Sequence, residues 1–120
     1  MERVTLTLGD GTSWPGFSAN GPKDAEGEVV FTTASCGYPQ SLTDPSYNGQ
    51  VLVFAFPLVG NYGVDEERLE SSRPWVRGVI ANSLTGESRL GPPLEEWLSR
   101  WGVPAVTGVD TRALIRHLRE

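Results

Sequence analysis

The sequence is poor in chemically versatile residues. Its 120 positions include one cysteine, Cys36, one histidine, His117, and one lysine, Lys23. A single cysteine excludes an internal disulfide framework and suits a reducing compartment. One His and one Cys cannot build a typical zinc site, so no metal is expected. Neither a Gly-x-x-x-x-Gly-Lys-Ser/Thr loop nor a Gly-x-Gly-x-x-Gly turn occurs, which removes the usual phosphate cradles. Long hydrophobic runs are also missing. The longest, Val51 to Val59, is broken by Pro57 and is far too short to span a bilayer. Met1-Glu2-Arg3 leads straight into an alternating segment without an apolar leader, so the cytoplasm is the expected compartment. Ten basic against fifteen acidic residues give a net charge of −5, which argues against generic binding to nucleic acid or anionic membranes.

What remains describes a globular domain. The chain is 38% hydrophobic and 21% charged, and a chain of this size buries roughly two-thirds of its unfolded surface without needing a staple. Fourteen Gly and nine Pro imply a loop-heavy surface. Val4-Thr5-Leu6-Thr7-Leu8 alternates with period 2, Gly9-Asp10-Gly11-Thr12 supplies turn chemistry, and Trp14 to Phe17 returns as the second strand of a hairpin. Glu28 to Thr33 contains three consecutive β-formers and reads as a strand buried on both faces. Residues 34–50 show no apolar period, so they are a working loop or a disguised short helix. Val51 to Phe56 reads as a central strand. An acidic helical turn is expected at Asp65 to Ser71, and a strand at Trp75 to Ala81.

Toward the end, Leu94, Trp97, Leu98 and Trp101 share one helix face, with Pro93 at the first helical position and Gly102 at C′. A short strand at 104–107 precedes a last helix, 111–119, capped by Asp110 with Leu114, Ile115 and Leu118 facing inward. Strands first and helices late make an α/β or α+β domain with a mixed sheet.

Candidate chemistry is sparse. Cys36 and His117 could pair as nucleophile and base only if the fold brought them together, and a lone Cys more often fills a core. Arg112, Arg116 and Arg119 line one side of the last helix, either docking an acidic partner or complementing the helix dipole. Trp97 and Trp101 are either a partner groove or core. Thr43-Asp44-Pro45-Ser46-Tyr47 is the richest polar cluster. Pro45 holds Asp44 extended, Asp44 can brace the turn, and the turn then aims the Ser46 hydroxyl. A capped turn and a ligand contact both fit that spacing.

At these residues the chain resembles the N-terminal domain of the small, glutamine-hydrolysing subunit of carbamoyl phosphate synthetase. The resemblance runs nearly end to end through Asp10-Gly11-Thr12, Gly27 to Thr33, Gly37-Tyr38, Leu42 to Tyr47, Gly60-Asn61-Tyr62-Gly63 and Asp110-Thr111-Arg112. It implies a swivelling β/β/α domain that precedes a class I amidotransferase domain, whose Cys, His and Glu hydrolyse glutamine. It also implies a large subunit that receives the ammonia and uses bicarbonate and ATP, with Mg, to make carbamoyl phosphate for arginine and pyrimidine synthesis. No cofactor is then expected in this domain.

Residues 1–120 would be a catalytically silent scaffold, subunit interface and wall of the glutamine pocket, without the amidotransferase domain and its catalytic residues. Cys36 stands where relatives usually have Thr, so it is not that nucleophile. Ser46 matches the one glutamine contact that the family draws from this domain. Pro39 replaces the commoner Gln, which puts the turn at 38–40 in question. A stand-alone binding module with the same fold is the alternative.

Overall fold

A computed structural model of the chain describes residues 2–21, 24–33, 38–55, 58–59, 63–64, 69–71, 73–84 and 91–119. The elements follow in chain order. Strands β1 (Glu2–Thr7), β2 (Ser13–Ser18) and β3 (Glu28–Thr32) come first, then helix α1 (Tyr38–Leu42) and a 3₁₀ turn (Pro45–Tyr47). Next are β4 (Gln50–Phe54), β5 (Leu58–Val59), β6 (Gly78–Ile80) and β7 (Ser83–Leu84). The chain closes with α2 (Leu94–Arg100), β8 (Ala105–Thr107) and α3 (Thr111–Arg119).

Six strands form one mixed sheet in the order β1-β2-β8-β6-β4-β3. β3, β4, β6 and β8 run parallel, and the β1–β2 hairpin joins antiparallel through β2 and β8. β5 and β7 make a separate parallel pair. The domain is therefore α/β with a mixed sheet and an N-terminal hairpin, as the pattern predicts.

The core is organised around β4. Val51, Leu52, Val53 and Phe54 are all buried, and successive side chains leave on opposite faces of the sheet. Leu52 and Phe54 pack with Val79, Ala81, Leu94, Trp97 and Leu98 under α1 and α2. Val51 and Val53 pack with Ile80, Val109, Leu114 and Ile115 under α3. Burying each of these side chains contributes about 1.5–3 kcal/mol, so a strand that serves both cores is the stiffest part of the domain.

Several elements differ from the sequence expectation. β3 does send Val30 to one core and Val29 and Phe31 to the other, yet all three are only partly buried. It is the outer strand among the described residues, where no further described strand completes the cover. The strand expected from Trp75 is a ladder only from Gly78. Before that, Trp75 O and Arg77 N–H bond singly to Gly49 N–H and Gln50 O.

Pro93 sits one residue earlier than expected, at the N-cap of α2 with ψ 147°, where its carbonyl accepts the Trp97 N–H at 3.0 Å. Trp101 is not on the buried face. The helix ends at Arg100 and tightens, the Trp101 N–H reaching Leu98 O, and the indole turns out to 48% exposure. Gly102 follows with φ +70°, the left-handed C′ position that favours glycine. The acidic turn expected at Asp65 to Ser71 falls mostly outside the described residues, as does Cys36.

Asp110 caps α3 as expected, accepting the Ala113 N–H at 3.1 Å. At the other end of α3, His117 ties the helix to the hairpin. Its Nε2 donates to Asp10 Oδ2 at 2.6 Å, and its ring tilts against Trp14 with centroids 5.6 Å apart. The Thr12 N–H and hydroxyl, and then His117, hold the Asp10 carboxyl at about 2 instead of 3.8. The Cys36–His117 pair thus has its described half bonded to the hairpin turn.

Two predictions follow from these contacts. A Cβ at Gly27 would collide with the carbonyl of Gly49, because the chains entering β3 and β4 run side by side there. Gly27→Ala should lower stability by about 1–3 kcal/mol in denaturant titrations, whereas a substitution at Gly9, which meets open space, should cost much less. The folded Asp10 carboxyl binds its proton less tightly than the unfolded one. Its stabilisation is therefore complete above about pH 4 and is lost as pH falls toward 2. Tm against pH should be flatter in Asp10→Asn than in wild type across that window, and parallel curves would refute the linkage.

Candidate functional site

The polar cluster at 43–47 is a rigid corner between α1 and β4. Pro39 lies in the first turn of α1, where a missing N–H costs no helical bond, and the segment 38–42 is helical despite it. Thr43 ends the helix by giving its N–H to Pro39 O at 3.1 Å. Asp44 then turns extended, with φ −79° and ψ 118°, as a residue before proline should. Its Oδ1 accepts the Ser46 N–H at 3.0 Å, and its carbonyl accepts the Tyr47 N–H at 3.1 Å. Asn48 N–H returns to Pro45 O and closes the 3₁₀ turn.

The corner is anchored from below. Thr43 is fully buried, and its hydroxyl donates to Pro39 O at 2.8 Å while accepting the Glu70 N–H at 2.9 Å. The Ser71 hydroxyl donates to Thr43 O at 2.7 Å and accepts the Trp75 indole N–H at 2.8 Å. Leu42 O takes the Trp75 N–H, and Trp75 O takes the Gly49 N–H, so one tryptophan backbone clamps both ends of the corner. Tyr47 packs against the core beneath α1, and the Tyr38 hydroxyl donates to Gly63 O at 2.6 Å. An unsatisfied buried hydroxyl costs about 1–3 kcal/mol, and here the Thr43 hydroxyl has both its donor and acceptor roles filled.

Ser46 stands alone at the top. With Tyr47 turned inward, Ser46 is exposed, and its hydroxyl makes no hydrogen bond to any described residue. It is an uncommitted donor and acceptor held on a backbone that cannot move far. Such a group can orient a polar ligand, and the nearby Asp44 carboxylate is engaged with the Ser46 backbone N–H and not with its hydroxyl. Among the described residues, no group of three or more His, Cys, Asp or Glu is placed to hold a metal, and no helix is long and apolar enough to cross a membrane.

The fold separates the sequence candidates. Ser46 lies where the chain enters β4, and His117 lies on α3 against the hairpin. Arg112, Arg116 and Arg119 lie where β3 and β4 end, on a cleft with Thr33, Ala55 and Ile115. The supports of the corner, Ser71 and Trp75, escaped notice in the sequence because their partners lie about 30 positions away and no local spacing announces them.

Comparison with known proteins identifies the family. Residues 6–120 match the family model described as carbamoyl-phosphate synthase small chain, CPSase domain. The chain is 51% identical over 113 residues to the carbamoyl phosphate synthase small chain of Pyrobaculum aerophilum, covering 92% of this chain and 33% of that protein. It is 46% identical over 131 residues to the arginine-specific small chain of Aspergillus fumigatus, covering 99% of this chain and 29% of that one. Identity to the multifunctional protein URA2 of Saccharomyces cerevisiae is 45% over 136 residues, covering 98% of this chain and 6% of that protein. The chain spans about a third of the length of the small chains it matches. With its corner, its last helix and all of its sheet but the start of β1 inside the matched span, this chain belongs to the carbamoyl-phosphate synthase small chain family, as the CPSase domain.

Proposed function

We propose that this chain is the N-terminal domain of the glutamine-hydrolysing subunit of carbamoyl phosphate synthetase, and that within the enzyme it is scaffold, subunit interface and one wall of the glutamine pocket. The observation that carries the proposal is the corner at 43–47. The small chains it matches are about three times longer, and in this proposal hydrolysis of glutamine belongs to the portion that these residues do not include. What this domain supplies is a hydroxyl, that of Ser46, carried on a backbone held by Asp44 and by the buried Thr43 anchor. A hydroxyl so held can hydrogen-bond the polar groups of L-glutamine without a rotameric search by the backbone beneath it.

The division of labour is chemical. The large subunit would bind ATP and its Mg, and would combine ammonia with bicarbonate into carbamoyl phosphate. This domain holds no resident cofactor in the proposal. It contributes binding and orientation, and the amidotransferase portion of the full chain supplies the nucleophile. Ligation of this kind serves arginine and pyrimidine synthesis, and the cytoplasm is the proposed compartment.

Ser46→Ala in the full-length small subunit, assayed with its large subunit, should raise the glutamine KM about 3- to 10-fold, the worth of one neutral hydrogen bond. Synthesis driven by added ammonia should be unchanged. An unaltered glutamine KM would remove Ser46 from the pocket. The 120-residue chain alone should release no ammonia from glutamine, and release above buffer would overturn the division of labour.

A further inference from the structure

The face of α3 that carries Arg112, Arg116 and Arg119 is not used by the corner at 43–47 or by the core. All three side chains are exposed, and none makes an ion pair with a described residue. Helix-dipole complementarity accounts for Arg116 and Arg119, which lie in the last turn. It does not account for Arg112, which lies in the first turn, where a cation is disfavoured. Three guanidiniums without an ion-pair partner among the described residues, on one face of a chain whose net charge is −5, form a local positive field within a negative surface. Such contrast selects and steers an acidic partner.

The surroundings favour a docked partner over a solvated face. The arginines line a cleft together with Thr33, Ala55 and Ile115, immediately beyond the ends of the parallel strands β3 and β4. Carboxyl ends of parallel strands are where open α/β sheets receive ligands. A partner seated against Ala55 and Ile115 would exclude part of the water from such an ion pair, which makes it worth more than the usual surface pair. The Arg119 guanidinium already stacks over the Phe31 ring at 5.1 Å, so one of the three is fixed in advance. The row from residue 112 to 119 spans about 10 Å along the helix. A single small anion would bridge part of that row, whereas carboxylates spaced along a helix or strand would meet all of it. The row also lies at the opposite end of β4 from Ser46, about 17 Å away along the strand, so occupation of one leaves the other open.

We infer that the arginine face of α3, with the cleft beside it, is the docking surface for a carboxylate-bearing segment of the large subunit. The inference rests on the synthetase proposal above and adds to it the face and the chemistry of the contact. Each guanidinium receives one carboxylate, and Thr33 lies at the edge of the cleft to take a further polar contact.

The test uses the full-length small subunit and the large subunit, with Kd measured over increasing NaCl. Wild-type affinity should fall steeply with salt. Reversal at all three positions (Arg112→Glu, Arg116→Glu, Arg119→Glu) should weaken association about 100-fold and flatten the salt dependence, because a lost interfacial charge pair acts mainly on affinity when partly buried. Neutralisation at the same positions (R112Q, R116Q, R119Q) is gentler on the fold, removing only the dipole and Phe31 contacts, and should weaken association about 10-fold with a small drop in Tm. Arg3→Glu, on the outer strand β1, should leave Kd as in wild type.

Wild-type Kd in both triple variants would overturn the docking face while leaving the synthetase proposal intact. A change confined to the glutaminase activity of the small subunit, with Kd unaltered, would reassign the face to an intrachain contact and also overturn it. Tripolyphosphate that binds the wild type, fails to bind the variants and does not compete with the large subunit would assign the face to a small polyanion. Failure of the two wild-type subunits to associate at all would overturn the synthetase proposal itself.

Discussion

Burial of β4 on both faces is the constraint from which the rest of the domain follows. Four consecutive side chains, Val51 to Phe54, are at or below 8% exposure. Such a strand must have neighbours on both edges and layers on both faces, which β3 and β6, then α1 and α2, then α3 supply. Because β4 pairs in parallel with both neighbours, the connections on either side must cross over to the far end of the sheet. The irregular stretch at 38–49 is one such crossing, from the end of β3 to the start of β4. Its ordered corner is therefore delivered to one end of the strand as a consequence of topology.

The two ends of β4 consequently have different chemistry. At its start, polar backbone groups are used up in a tight network around Thr43, Ser71 and Trp75, and a single neutral hydroxyl is left facing out. At its end, three cations border an apolar cleft. The first arrangement suits a small polar ligand that must be oriented; the second suits an extended acidic surface that must be recognised. A domain that holds two such surfaces apart on one stiff strand can serve as a scaffold without containing reacting groups.

The hairpin is attached by a weaker kind of contact. β2 meets β8 over only two register pairs, Phe17 with Thr107 and Ser18 with Val106. The Asp10–His117 pair and the Trp14 ring close the other end of the hairpin onto α3. The Asp10–His117 pair is partly exposed, so solvent screens it, and the pair weakens as acid protonates Asp10. The hairpin itself was legible from residues 4–17, since alternation and an Asp-Gly turn are local signals. Its partner His117 was not, because nothing in the spacing of the last helix says which strand turn it will meet.

Local patterns by themselves placed the strands of the six-stranded sheet, though not the short β5–β7 pair, and determined the Asp110 cap on α3, the left-handed Gly102 and the Pro-braced turn beneath Ser46, since each depends on residues within a few positions of one another. The ordered set of motifs also determined the family. Tertiary structure alone decided that β3 is an edge and so only half covered, that Trp101 turns outward, and that Thr43 is held by Glu70 and Ser71. It alone decided that the arginines of α3 meet the ends of β3 and β4. The physical reason is common to all of these: burial and hydrogen bonding between distant segments depend on which strands become neighbours, and a hydrophobic period records which face of a strand is covered but not by what.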